Sequence, residues 1–179
     1  KKIFHKSDIK ILSLNDFRNM ECPKETGSSF ETNAKIKSNY GFKHLKLPCF
    51  ADDSGICISA LENLPGIKSK RFIKENGGIK KTFKMIIDKT NNISDRKAYF
   101  KTSISLTFNQ KKTIYFNGVI NGMISLKPKG VYGFDYDPIF IPNGYDKTFA
   151  EMTLQEKNNI SHRAIATQKL KKYLIELIN

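Results

Sequence analysis

A chain of 179 residues with 39% hydrophobic and 11% aromatic residues is long enough for one substantial core and has the composition of an ordinary folded domain. Its apolar runs are only strand-length, as at Ile139-Phe140-Ile141, which excludes a membrane-spanning helix, and no secretory leader opens the sequence. The formal charge is +14, from 31 Lys and Arg against 17 Asp and Glu.

In chain order, Lys1 to Lys6 reads as the tail of a helix, and Asp8 to Leu14 as a short strand with alternating Ile and Leu. Ser28-Ser29-Phe30-Glu31 has the form of a capping box, serine at the cap and glutamate three residues on. It predicts a helix to about Tyr40, buried through Phe30, Ala34 and Ile36. Pro48 to Ala51 reads as a strand ending in Asp52-Asp53-Ser54-Gly55, with a second strand over Ile56 to Leu61 and a turn at Leu64-Pro65-Gly66. Gly77-Gly78 precedes a helix through Phe83, Ile86 and Ile87. From Ala98 to Phe108 apolar and polar residues alternate, and after Asn109-Gln110-Lys111-Lys112 the alternation resumes through Ile114, Phe116, Gly118 and Ile120. Period two on both sides of a short turn is a long antiparallel hairpin. Thr153-Leu154-Gln155-Glu156 is a further capping box opening a short helix. Ser161 caps a final helix packed through Ala166, Leu170, Leu174 and Leu177. Helices interleaved with strands give one α/β domain around a mixed sheet dominated by the hairpin.

Three stretches do not fit a core pattern, and each falls at the end of an element, where loops carry function. Glu25-Thr26-Gly27 precedes the capped helix; alone, Glu25 reads first as an aid to capping at the positive end of the helix dipole. Asp52 and Asp53 follow an apolar strand, where two carboxylates need a compensating cation unless they sit in a solvated turn. Magnesium is such a cation, since it takes one or two carboxylates together with phosphate oxygens and water. Side chains alternate along a strand, so one of the two aspartates faces the metal. The third stretch is Gly130 to Pro138, in which Phe134, Asp135, Tyr136 and Asp137 form either a stacking platform with a hydrogen-bonding edge or a turn whose aromatics enter the core. Lys157, His162 and Arg163 add donors beside a helix start. An acidic site, an aromatic slot and basic groups, with no protein nucleophile beside a base, suit hydrolysis of a phosphoanhydride by water at a metal.

The net charge also invites comparison with a nucleic-acid-binding module, because basic groups that neutralise phosphates release counterions. Arg18, Arg71, Arg96 and Arg163 are the only arginines, however, and the lysines are scattered, whereas base readers favour the guanidinium. The charge reads as a solvated surface that helps gather a polyanionic small molecule. Cys22, Cys49 and Cys57 match no zinc or redox spacing and read as reduced, mostly buried thiols of a cytoplasmic protein.

Taken in order, several of these segments resemble the inosine triphosphate pyrophosphatase family of house-cleaning enzymes over nearly the whole chain. They are Glu25-Thr26-Gly27 with Phe30, Asn33, Ala34 and Lys37; Ala51 to Gly55; Leu64 to Gly66; and Ala98 to Phe100. Pro128 to Phe140, Thr148 to Met152, Glu156 to Asn158 and Ile160 to Ala164 continue the match. The resemblance implies an elongated α/β fold of two lobes with a cleft between them, a homodimer, and Mg2+ dependence. The implied reaction converts non-standard purine nucleoside triphosphates (ITP, dITP, XTP) to monophosphate and pyrophosphate. By position it makes Glu25 and Asp53, with Asp52 beside them, the metal-associated carboxylates, and Asp53 the general base. Lys37 and Ser54 resemble phosphate contacts. Phe134, Asp135, Tyr136, Asp137, Lys157, His162 and Arg163 resemble the purine-binding positions.

Hypoxanthine and xanthine carry an oxygen at C6 and a hydrogen on N1, the reverse of adenine. Donation from Lys157 or Arg163 to that oxygen, with Asp137 accepting from N1–H, would leave buried polar groups unpaired against adenine, discriminating by roughly 10⁴-fold. Two departures stand out. The family's first strand and its Ser/Thr-x-Asn-x-x-Lys loop have no counterpart here, and Asp135 stands where the family usually has glycine. A related pyrophosphatase acting on pyrimidine or modified nucleotides is the competing enzyme reading.

Overall fold

The computed structural model describes residues 9–17, 20–109 and 111–178. Its centre is the expected hairpin. Helix α1 (Phe30–Leu45) leads to strand β1 (Cys49–Ile58), helices α2 (Ser69–Glu75) and α3 (Ile79–Asn92) follow, and β2 (Lys97–Thr107) and β3 (Thr113–Ile124) make the hairpin. Strand β4 (Phe140–Pro142) and helices α4 (Leu154–Ile160) and α5 (His162–Ile178) complete the chain. The sheet order is β1-β2-β3-β4, and each of these pairings is antiparallel. The α/β class holds, but among the described residues the sheet is antiparallel rather than mixed.

Beyond Thr102 the residues of β2 are buried on both faces, because α1 packs on one side of the strand and α5 on the other. The α5 side is apolar: Ile104, Leu106 and Phe116 meet Ala166 and Leu170. The α1 side is a hydroxyl seam, with Ser38 Oγ 2.7 Å from Ser105 Oγ and 2.8 Å from Thr107 Oγ1. Those pairings satisfy polar groups that would otherwise be costly to bury. A larger apolar cluster gathers Ile56, Ile58, Phe83, Ile86, Phe100, Phe140 and Phe149 around the other end of the hairpin.

Several boundaries differ from expectation. Helix α1 is capped by Ser29, not Ser28: Ser29 Oγ accepts from Thr32 N at 3.1 Å, and Thr32 Oγ1 accepts from Ser29 N at 2.9 Å. Thr32 does the reciprocal capping expected of Glu31, which instead pairs with Lys101 at 2.8 Å. The helix continues past Tyr40 to Leu45 and ends at Lys46 in the left-handed region. The two expected strands around Asp52-Asp53 are one, since Cys49–Ile58 pairs without a break against Ala98–Thr107. Residues 9–13 are not a strand, and Leu14–Asp16 is a 3-10 turn. Ile9 and Ile11 rest on the smaller cluster, but no strand edge among the described residues pairs with them. Alternation without a hydrogen-bonded neighbour does not make a strand. Leu177 is exposed rather than packed, and of the cysteines only Cys57 is buried. The expected helix tail at Lys1 to Lys6 lies outside the described residues. Among the described residues no helix is long and apolar enough to cross a membrane.

Candidate active site

Asn33 and Lys37 lie four residues apart in α1 and so share one face of it. Both reach Asp53 on β1: Lys37 Nζ lies 3.2 Å from Oδ1, and Asn33 Nδ2 lies 3.3 Å from Oδ2. Gly27 N donates to Asn33 Oδ1 at 2.8 Å, which fixes which end of the amide faces the carboxylate. Lys37 Nζ also donates to Glu25 Oε1 at 2.9 Å. Glu25 and Asp53 therefore converge on one ammonium. Asp53 is only 6% exposed. Burial pushes its carboxyl above the usual range, against the opposing pull of Lys37 and Asn33. Burial works against the charge on Lys37 too, but the hydrogen bond it donates to Glu25 and the charge of Asp53 outweigh it and raise its pKa.

Asp52 faces the other way. Its Oδ2 accepts from Ser54 Oγ at 2.9 Å and from Arg163 Nε at 3.3 Å, and Ser54 Oγ lies 2.6 Å from Thr102 Oγ1. The consecutive carboxylates are thus divided between α1 and α5, as strand alternation requires. Each has its own cation, which is how β1 carries two aspartates without breaking.

The opposite wall is the loop at 133–137. Asp137 Oδ2 accepts from Phe134 N at 2.7 Å and from Lys157 Nζ at 2.5 Å, a buried ion pair that closes the loop on α4. Gly133 packs so closely on the Asp137 carboxylate that a Cβ there would collide with it. Asp135 has φ 50°, in the left-handed region that glycine enters freely and that aspartate tolerates better than most residues. That backbone conformation accounts for glycine being usual at this place in the resembled family. Tyr136 is 1% exposed, and its hydroxyl donates to Ser69 O at 2.8 Å. Its ring belongs to the core. Phe134, 54% exposed, is the aromatic left with a free face. Lys157 Nζ lies 4.5 Å and the Arg163 guanidinium carbon 5.4 Å from its ring centre.

His162 opens α5 behind Ser161, whose Oγ caps Ala164 N at 3.2 Å. The imidazole is 4% exposed and stacks on Phe100 with ring centres 4.7 Å apart and planes 6° from parallel. Its Nδ1 is buried without a hydrogen-bond partner among the described residues. Burial, then the charges of Arg163 and Lys157, hold its pKa down at about 3. It is a neutral ring, offering a hydrogen bond rather than a charge.

A single pocket of about 250 Å³ joins these pieces. Its wall includes Glu25, Lys37, Asp52, Asp53 and Ser54 on one side, and Phe134 to Asp137 with His162 and Arg163 on the other. Lys157 stands behind Asp137. Asn33 belongs to the matching segment, and its i, i+4 spacing to Lys37 is the sequence signal that places it in the site. Ser69 and Lys70, which also line the pocket, come from α2, a helix the sequence did not announce. Among the described residues no group of three His, Cys, Asp or Glu side chains is placed to hold a metal ion. Glu25 and Asp53, brought together at the Lys37 ammonium, are the carboxylate pair that would fit an ion completing its shell with substrate oxygens and water.

Comparison with known proteins agrees with this architecture. The profile of the Ham1 family matches residues 1–173. The dITP/XTP pyrophosphatase of Christiangramia forsetii is 39% identical over 166 residues, covering 93% of this chain and 87% of that protein. That of Halalkalibacterium halodurans is 41% identical over 174 residues, covering 96% and 90%. The solved structure of a HAM1 protein from Coxiella burnetii superposes with a TM-score of 0.90 at 36% identity, covering 98% of this chain and 90% of that one. The chain belongs to the Ham1 family.

Proposed function

We propose that this protein is a Mg2+-dependent pyrophosphatase that hydrolyses dITP, ITP and XTP to the monophosphate and pyrophosphate. The observation that carries the reading is the convergence of Glu25 and Asp53 on the Lys37 ammonium, in the same pocket as Phe134 and Asp137. The curated relatives, named as dITP/XTP pyrophosphatases, support it. Glu25 and Asp53 hold the ion, and Mg2+ bound there supplies charge neutralisation and Lewis-acid polarisation of the phosphates. Asp53, held in place by Lys37 and Asn33, takes the proton of the attacking water. The water oxygen bonds to the α-phosphorus as the bond to the α–β bridging oxygen breaks, and pyrophosphate leaves. Lys37 and Ser54 orient the phosphates, and Asn33 keeps Asp53 facing them.

At the other end Phe134 offers its exposed face to the base. A 6-oxopurine accepts at O6 from Arg163 or Lys157 and donates N1–H to Asp137, whereas adenine presents the wrong group at both positions. His162 lends a neutral hydrogen-bonding nitrogen, and Asp135 and Tyr136 set the course of the loop. Free cysteines suit a reducing cytoplasm, and a homodimer would have a solution mass near twice 20.5 kDa. The deciding experiment is pyrophosphate release from dITP, ITP, XTP and ATP, with Mg2+ and with a chelator. Metal-dependent turnover of the first three and little of ATP is expected. Equal turnover of ATP would overturn the base-recognition reading.

A further inference from the structure

The pocket wall holds five carboxylates, Glu25, Asp52, Asp53, Asp135 and Asp137, against three cationic side chains, Lys37, Lys70 and Arg163. Every one of those carboxylates but Asp135 has a cation of its own. Glu25 and Asp53 share Lys37, Asp52 has Arg163, and Asp137 has Lys157 behind it. Asp135 is exposed and, among the described residues, takes part in no ion pair or hydrogen bond, with Lys70 included. The uncompensated negative charge of the wall therefore sits at its aromatic end, next to Phe134.

The loop fixes where that charge is. Phe134 N donates to Asp137 Oδ2 at 2.7 Å and Asp137 N donates back to Phe134 O at 3.1 Å, closing the chain around Asp135 into a tight turn. Asp135 crosses that turn at φ 50°, a conformation that costs a side chain energy and that collects at functional sites. Tyr136 OH ties the turn to Ser69 O of α2. Burial raises the pKa of that hydroxyl, and the charge of Asp135 adds to the rise, so the carboxylate acts on the α2 side of the loop. Lys157 and Arg163 approach instead from α4 and α5. A 6-oxopurine stacked on Phe134, with O6 toward Arg163 or Lys157 and N1–H on Asp137, has C2 as the next atom round its ring, turned away from those donors. Hypoxanthine carries only hydrogen at C2. Xanthine carries a carbonyl oxygen there, and its ring is acidic enough to lose a proton near neutral pH. An ionised carboxylate accepts hydrogen bonds and donates none, so it repels both that oxygen and the negative ring. We propose that Asp135 is a specificity-determining residue that reads the C2 position and favours hypoxanthine over xanthine nucleotides. This deepens the pyrophosphatase reading above and rests on it.

The test is calorimetric binding of inosine and xanthosine monophosphates to the parent, Asp135→Asn and Asp135→Gly, beside kcat/KM for ITP and XTP with Mg2+. Asparagine removes the charge at nearly constant size and tolerates the left-handed conformation; glycine removes the side chain and enters that conformation freely. The parent should bind the inosine nucleotide more tightly. In both variants the ratio of inosine to xanthosine affinity should fall by about tenfold, the scale of one partly screened charge contact. The ITP to XTP ratio of kcat/KM should fall with it. A ratio unchanged in both variants, or a parent that prefers the xanthosine nucleotide, would overturn the assignment. Monophosphate binding needs neither metal nor turnover. An affinity ratio that falls in a protein splitting neither triphosphate would support Asp135 and indict the pyrophosphatase reading instead.

Discussion

Asp53 is the side chain whose environment most nearly opposes its charge. Burial raises its pKa despite Lys37 and Asn33, so the ionised form is the one the fold holds less well. Below the ordinary carboxylate range Asp53 is protonated in folded and unfolded chains alike and brings no penalty; the penalty enters as pH rises through its raised value. Asp53→Asn should therefore lower turnover by about 10²–10⁴-fold while leaving the Tm at pH 7 no lower than that of the parent. A retained kcat would remove it as base. Asp137 is the contrary case, because its buried charge depends on Lys157. Lys157→Met should cost about 3–5 kcal/mol in chemical denaturation, the usual result of stranding a buried partner. His162 sets an acid limit. Its pKa is near 6.5 unfolded and about 3 folded, so above pH 6.5 it has no effect. Between those values the unfolded chain alone binds the proton, and stability falls by about 1.4 kcal/mol per pH unit. In His162→Gln that slope should flatten, as read from urea midpoints at pH 7, 6 and 5. Most of these residues were legible through the family resemblance, since on local grounds the carboxylate pair reads equally as a solvated turn and the aromatic-aspartate loop as a turn with its rings in the core. Ser69 and Lys70 were not, since nothing in Ser69 to Glu75 repeats an apolar face that would announce a helix.

The elements meet at places where side chains are missing. Gly118 on β3 lies against the backbone of His162 and Ala166, and a Cβ at Gly118 would strike the His162 carbonyl. That contact seats the first turn of α5, and with it His162 and Arg163, on the hairpin. Gly118→Ala should cost about 1–3 kcal/mol by overpacking. It should also weaken dITP binding, because the displaced turn carries pocket residues; an unchanged KM would show that α5 can shift without the site. The hairpin, α3 and the two C-terminal helices followed from periodicity and caps. The misses have a common cause. The start of α1 turned on whether Thr32 or Glu31 completes the cap, the unity of β1 on cations from α1 and α5, and the lack of a strand at 9–13 on a missing partner edge. Each was decided by a residue far away or by a competing local bond, not by pattern.

Across the whole molecule the charge of +14 surrounds a pocket whose wall is acidic. The outer field attracts a nucleotide and the inner one resists it until a cation arrives, so long-range steering is screened by salt while the buried pairings are not. The kcat/KM for dITP should fall as salt rises from about 0.05 to 0.5 M, the range over which the Debye length contracts severalfold, with kcat much less affected. A flat response would mean that the lysines act only as solvated surface. Finally, Asp52 and Asp53 answer to different helices because neighbours in a strand face opposite ways. Losing one residue from β1 would hand each carboxylate to the other's helix and turn Ile56 and Ile58 out of the core in the same stroke. Substitution can retune either acid separately, but insertion and deletion are closed to this segment, so the spacing of the two acids is enforced by folding itself.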